Sequence, residues 1–172
     1  MSTKTIPYVP YKVKDIGLAK WGRKEIELAE AEMGPPPIPY CFMVHGSLAR
    51  NDQAVTTDQD NALVLHDSFN PEQHDAYFKE LAQRVSDGLD TCGYTNCKGG
   101  VMAASENWRH PKAQWKQYFT DWIAKPDPER LLHSSIFFDL DAIYGEERFV
   151  EELQDLIASQ AQANPNFLAA LS

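Results

Sequence analysis

The run Tyr40-Cys41-Phe42-Met43-Val44-His45 is apolar and shows no helical period. Helix-breaking residues close it on both sides, Gly34-Pro35-Pro36-Pro37 and Pro39 before it and Gly46-Ser47 after it. Too short for a helix, residues 38–45 read as a buried strand, and a buried strand obliges the rest of the chain to supply strand neighbours and covering helices. Ala62-Leu63-Val64-Leu65 is a second apolar run, residues 135–140 a third, and residues 93–102 read as an irregular strand carrying a Lys98-Gly99-Gly100 turn. Helical spacing appears four times. Residues 14–33 place Ile16, Ala19, Ile26, Ala29 and Met33 on one side, and residues 71–90 do so with Phe78, Leu81, Val85 and Leu89. Residues 112–124 turn Trp115, Phe119, Trp122 and Ile123 inward, and residues 146–163 close the chain. Strands and helices alternate, so the fold class is mixed α/β (α+β), a small mixed sheet flanked by helices with one helix leading.

Composition limits the function classes. With 172 residues, 43% hydrophobic and 24% charged, a core forms without disulfides. Three cysteines are an odd number; Cys41 reads as a buried small hydrophobe, and Cys92 with Cys97 is at most half a metal site, with no second pair and no ligand spacing among the five histidines. Sixteen basic against 25 acidic residues leave a net charge of −9. That balance argues against a nucleic-acid polymer as partner, which needs a basic patch, but a single nucleotide needs only one local pocket. No apolar run approaches the roughly 18 residues of a membrane span, and residues 1–10 lack a signal-peptide pattern. A cytoplasmic protein with no membrane partner is expected.

The chemistry concentrates where the first strand ends. Gly46-Ser47 is followed after ten residues by Asp58-Gln59-Asp60-Asn61. Residues i and i+2 of an extended chain share a face, so Asp58 and Asp60 can present both carboxylates on one side. Two carboxylates that close repel unless a cation lies between them, and magnesium binds through one or two carboxylates and completes its shell with phosphate oxygens. Glycine at a strand end permits close backbone approach and the serine hydroxyl can donate, which suits a phosphate. Asp139 closes the apolar stretch Ser135-Ile136-Phe137-Phe138 and is the candidate third carboxylate, with Asp141 as competitor. Metal on one edge and phosphate on the other is the equipment of phosphoryl or nucleotidyl transfer. The plainer reading is a Gly-Ser turn followed by an unrelated acidic turn with Asp58 as a cap.

Other residues divide between sharp and plain readings. Lys98-Gly99-Gly100 either meets a phosphate or base or is a tight turn with a solvated lysine. Trp108, Trp115 and Trp122 read as core packing before a nucleobase wall. His45, beside Gly46, either meets a phosphate or, more plainly, is a strand-end histidine with a backbone partner; Glu25 to Glu32 reads as a solvated helix face, and Asn61 as a residue that fixes the aspartate loop by hydrogen bonds.

Gly46-Ser47 with Asp58-x-Asp60 and a later Asp139 resembles the signature of the polymerase-β-type nucleotidyltransferase superfamily. More narrowly, Gly34-Pro35-Pro36-Pro37-Ile38-Pro39-Tyr40, Gly46-Ser47-Leu48-Ala49-Arg50, Thr57-Asp58-Gln59-Asp60-Asn61-Ala62-Leu63, Cys97-Lys98-Gly99-Gly100-Val101-Met102-Ala103 and Ser135-Ile136-Phe137-Phe138-Asp139-Leu140 resemble one branch of it. That branch is the signal-transduction nucleotidyltransferase domain found with cyclic-nucleotide-binding and CBS-pair modules and related to protein-PII uridylyltransferase. The resemblance runs from about Ile26 to the C-terminus. It implies the nucleotidyltransferase fold and transfer of a nucleoside monophosphate from an NTP to an acceptor, possibly a protein, with magnesium or manganese as cofactor. It also implies Asp58, Asp60 and Asp139 as metal ligands, Gly46 and Ser47 on the triphosphate, and Arg50 nearby as a phosphate partner. Lys98 belongs to the expected phosphate-binding set. A catalytically silent nucleotide sensor or an interaction domain on the same fold is the alternative. The branch usually continues into a helical C-terminal domain, which this chain, stopping at Ser172, is expected to lack, so that docking of such a domain is one expected contact. Residues 11–33, from Tyr11-Lys12-Val13-Lys14-Asp15-Ile16 to Ala29-Glu30-Ala31-Glu32-Met33, resemble the start of S-adenosylhomocysteine hydrolase. The expected division is therefore an N-terminal extension and helix over 1–33 and a nucleotidyltransferase domain over 34–172.

Overall fold

The structure is a computed structural model and describes residues 18–49, 58–125, 127 and 136–171. Its frame is a four-stranded mixed sheet: β1 (Tyr40–His45), β2 (Asn61–Leu65), β3 (Arg109–Pro111) and β4 (Leu140–Gly145), in the order β3-β2-β1-β4. β1 is antiparallel to both neighbours, with Phe42 opposite Leu63 in β2 and His45 opposite Leu140 in β4, while β3 runs parallel to β2. The helices are α1 (Leu18–Met33), α2 (Gly46–Ala49), α3 (Pro71–Thr91), α4 (Lys112–Ala124), α5 (Arg148–Ala163) and α6 (Pro165–Leu171). A sheet covered by helices fits a nucleotidyltransferase-type fold.

Period-two alternation along the strands sorts the core into two layers. Tyr40, Phe42, Leu63 and Leu65 pack with Ile26 and Ala29 of α1 and with Phe78, Leu81, Ala82 and Val85 of α3. Cys41, Met43, Ala62, Val64 and Leu140 pack with Trp115, Phe119 and Trp122 of α4 and with Phe149, Val150, Leu153 and Ile157 of α5. Cys41 is a free, buried thiol, as a small hydrophobe would be. Trp115 is fully buried, and its indole N–H donates to the Leu63 carbonyl at 3.0 Å, so the tryptophans of α4 are core residues. α3 begins as its sequence dictates, with Asn70 accepting from the Glu72 amide and Pro71 in the first turn.

Two expectations are corrected. Residues 93–102 are turns, with one isolated bridge between Gln59 and Asn96 in place of a strand. The stretch around Ile136–Asp139 is not a strand either. Ile136 and Phe137 are helical, Phe138 and Asp139 form a bend, and the strand starts at Leu140. Phe137 is drawn into the aromatic cluster instead, with its ring 5.7 Å from that of Trp115 and 4.5 Å from that of Trp108. Residues 14–17 of the expected first helix lie outside the described residues. β3, only three residues long, and α6 were not foreseen.

At the far end of β1, Gly145 (φ 101°) lies against the Tyr40 carbonyl, where an added Cβ would collide with the Tyr40 backbone. Only glycine allows this approach, which lets the Glu146 amide reach the Tyr40 carbonyl at 2.8 Å. α1 is tied to the sheet through one carboxylate: the hydroxyls of Tyr40 and Tyr144 donate to the two oxygens of Glu30, each at 2.8 Å. Glu30 is thus a structural anchor at the edge of the acidic, solvated face of α1. Replacing Tyr40 by Phe should lower the unfolding free energy by about 1.5–3 kcal/mol, the range for a hydrogen bond to a charged group. Urea denaturation measures it, and an unchanged midpoint would refute the anchor.

Candidate active site

The site is built by the end of β1 and by the two chain segments that arrive beside it. The His45 amide donates to the Asp60 carbonyl at 3.1 Å, and the next amide, that of Gly46, donates to the Asp139 carbonyl at 2.9 Å. Gly46 has φ +55°, a left-handed conformation that glycine adopts without steric cost, and from it the chain turns directly into α2. The sequence expected Asp139 on a strand beside that of Asp58 and Asp60. In the structure β1 lies between them, so Asp60 and Asp139 flank the Gly46 turn from opposite sides. With neighbouring strands about 4.8 Å apart, their backbones are separated by roughly 10 Å.

Asp58 and Asp60 lie on the extended lead-in to β2, just before its first residue. Gln59 between them is buried, its amide donating to Thr95 O and its side-chain Nε2 donating to Ser86 O at 3.0 Å and Tyr94 O at 2.8 Å. The Gln59 side chain is thereby turned toward α3, so alternation turns Asp58 and Asp60 to the other face, both half-buried. Asn61 carries the next anchor: its amide donates to Val101 O, and its Oδ1 accepts from the Ala103 amide at 2.9 Å. This is the loop-fixing role its position in the sequence indicated. Asp141 is exposed and accepts from the Ala142 amide next to it.

Burial pushes the Asp60 carboxyl up from its ordinary range, a hydrogen bond from the Cys97 thiol pulls it back, and the Asp58 charge pushes it up again. A half-desolvated carboxylate beside a second negative charge is an environment that a cation relieves. Among the described residues, no group of three or more His, Cys, Asp and Glu side chains is assembled to hold a metal ion. A pair of hard oxygen donors is a donor set that suits magnesium, which completes its shell with phosphate oxygens.

Lys98 is exposed on a turn over residues 97–100, closed by the Gly100 amide on the Cys97 carbonyl at 3.0 Å, with Gly100 at φ +71°. Ser47 enters through its place in α2; its side chain and the whole of Arg50 lie outside the described residues. One participant escapes the sequence reading: Gln59 looks like any polar residue in a loop, yet its side chain anchors the acidic segment.

His45 departs from expectation. It is fully buried beside Phe137, ring centroids 4.3 Å apart, and neither ring nitrogen has a hydrogen-bond partner among the described residues. It therefore neither faces a phosphate nor holds a backbone group through its ring, and burial pulls its pKa down to about 3.

A mixed sheet whose central strand ends in Gly-Ser between acidic segments defines a nucleotidyltransferase-type domain. The chain belongs to the family described as "Putative nucleotidyltransferase DUF294", whose model matches residues 18–129. The match takes in α1, Gly46, Ser47, Asp58, Asp60 and Lys98; Asp139 lies beyond it. Membership places the chain in nucleotidyl transfer as a general class. No helix among the described residues is long and apolar enough to cross a membrane.

The buried histidine gives a pH prediction. The unfolded chain takes up a proton near pH 6.5 and the folded one only near pH 3, so the stability present above pH 6.5 falls as pH drops between those values. Its contribution to that fall approaches about 1.4 kcal/mol per pH unit. His45→Phe should flatten this acid limb and leave stability at pH 8 unchanged or raised, since no buried nitrogen is stranded. Urea titrations from pH 8 to 5 decide it; an acid limb equally steep in the variant would refute the assignment.

Proposed function

We propose that the protein is a magnesium-dependent nucleotidyltransferase that moves a nucleoside monophosphate from an NTP to an acceptor hydroxyl, in the manner of uridylyltransferases that modify signalling proteins in the cytoplasm. The observation that carries the reading is the pair of consecutive amides, His45 and Gly46, bonded to the carbonyls of Asp60 and Asp139. They hold a glycine turn between two acidic segments at one end of the sheet.

In this reading Asp58 and Asp60, with Asp139 as third carboxylate, are the residues that would hold Mg2+ or Mn2+. The cation supplies neutralisation of the triphosphate and activation of the attacking hydroxyl. Gly46 gives the triphosphate close access to backbone amides, and Ser47 adds a hydroxyl donor. Lys98, exposed on its turn, and Arg50 supply positive charge to the phosphates. The acceptor oxygen forms its bond to the α-phosphorus in line with the bond that breaks, and pyrophosphate leaves. Gln59 and Asn61 keep the acidic segment from shifting as charge redistributes, because both are anchored on the side of the sheet away from the aspartates.

Calorimetric titration of UTP and ATP, with and without magnesium, tests the reading on the wild type and on the double variant Asp58→Asn/Asp60→Asn. Magnesium-dependent binding weakened at least tenfold in the double variant, with a circular dichroism melt no lower than that of the wild type, is the expected result; tenfold corresponds to about 1.4 kcal/mol. Binding indifferent to magnesium and to both substitutions would sink the proposal. Magnesium-dependent binding without pyrophosphate release on any acceptor would identify a nucleotide sensor instead.

A further inference from the structure

Arg109 opens β3 with its side chain only 2% exposed, so a full positive charge is buried at the edge of the sheet. Such burial is costly unless the donors are used, and here they are used in two directions. Nη1 donates to the Ala103 and Ala104 carbonyls, each at 3.0 Å, while Nε and Nη2 donate to Asp75 Oδ1 of α3 at 3.2 and 3.0 Å. Arg109 stands opposite Leu63 in the register, on the α3 side of the sheet. That is the face opposite the aspartates, so this arginine reaches the candidate site from behind. Ala103 is fully buried and gripped on both sides: Arg109 holds its carbonyl, and its amide donates to Asn61 Oδ1 at 2.9 Å. The Asn61 amide in turn donates to the Val101 carbonyl, and Asn61, first residue of β2, directly follows Asp60. A continuous run of hydrogen bonds thus leads from α3 through Asp75, Arg109, Ala103 and Asn61 to the acidic segment.

We infer that Arg109 is a positioning residue for nucleotide binding: by holding Ala103 against Asn61 it fixes where the acidic pair and the Lys98 turn stand. The inference rests on the nucleotidyltransferase reading of the site. The loop that carries Lys98 is pinned at its start by Gln59, which donates to the Thr95 and Tyr94 carbonyls, and at its end by Asn61 and Arg109 together. Freeing that end releases the turn and strands the Asn61 carboxamide, so the phosphate contact and the metal ligands lose their register at once. Only a guanidinium suits the position. Its planar fork serves two carbonyls on one side and a carboxylate on the other, whereas a lysine ammonium is a point donor that cannot span both. Supporting shells of this kind are what keep a site within the narrow geometry that binding needs.

The test compares wild type with Arg109→Lys, Asn61→Ala, the double variant, and Asp75→Asn, which removes the charge of the ion pair and keeps an oxygen acceptor. Two quantities are read. One is hydrogen exchange of the Ala103 amide in nucleotide-free protein, relative to the Phe42 amide of β1, which separates local release from general loss of stability. The other is the affinity for UTP with magnesium, by calorimetry. In Arg109→Lys the Ala103 amide should exchange about tenfold faster relative to Phe42, and UTP affinity should fall about tenfold. Asn61→Ala should lose affinity to a similar extent, and the double variant should lose no more than the larger single loss, because both break one connection. Asp75→Asn should lower the melting temperature while Ala103 exchange and UTP affinity stay near their wild-type values. Losses that multiply in the double variant, an unchanged affinity in Asn61→Ala, or an affinity loss in Asp75→Asn equal to that in Arg109→Lys would overturn the inference. The Asn61→Ala result decides even where the arginine variant does not fold. If the wild type binds no UTP while Ala103 exchange still follows Arg109, the nucleotidyltransferase reading falls and Arg109 stands as the residue that holds Ala103 against Asn61.

Discussion

Two consecutive amides at the end of β1 govern the molecule's working end. Successive residues of a strand direct their amides to opposite sides, so His45 reaches the segment leading into β2 and Gly46 the segment leading into β4. This arrangement is available only to a strand with neighbours on both sides, which is why the burial of β1 matters beyond stability. A one-residue slip of β1 would expose Phe42 and Met43 to the wrong layers and carry Gly46 away from both carbonyls. The hydrophobic pattern that forces β1 into the middle of the sheet is therefore the same constraint that sets the acidic segments around the turn.

Polarity is divided across the sheet in a way that follows from this. One face at the β1 end receives Gln59 and Asn61, neutral amides whose bonds go to α3 and to the loop over 94–103. The other receives Asp58 and Asp60, half-buried and mutually repelling. On the same face of the sheet lies the aromatic layer of Trp115, Phe137 and Trp108, which holds the His45 ring, without a hydrogen-bond partner among the described residues. An apolar floor lowers the local dielectric response, which raises the cost of the bare carboxylate pair and the gain from neutralising it. The fold thus accepts electrostatic strain at one end of a well-packed sheet, the usual place for a site that waits for a charged ligand.

Much of the frame was legible in the sequence because its signals are local. Prolines before β1 and Gly46-Ser47 after it bracket the strand, Ala62 to Leu65 is uninterrupted, and α3 and α4 carry apolar residues at helical steps. The acidic pair and the Gly-Ser turn were legible because their spacing has chemical meaning. What was not legible depends on tertiary competition. Ile136, Phe137 and Phe138 are apolar enough for a strand, but the aromatic layer claims Phe137, and the strand falls instead on Leu140–Gly145, whose half-exposed pattern looks like a loop. Residues 93–102 end in the apolar run Val101-Met102-Ala103, which suggests a strand, yet the Tyr94, Thr95 and Val101 carbonyls are taken by Gln59 and Asn61 of the acidic segment and the Met102 amide turns back to Gly100.

The most direct test of the account is where a cation sits. An anomalous difference map from crystals grown with Mn2+ and a non-hydrolysable UTP analogue locates the ion without assumption about activity. The account predicts a peak against the Asp58 and Asp60 carboxylates, on the side facing Asp139, with the triphosphate over Gly46. A triphosphate bound elsewhere, or an ion that avoids both aspartates while the nucleotide is present, would contradict it.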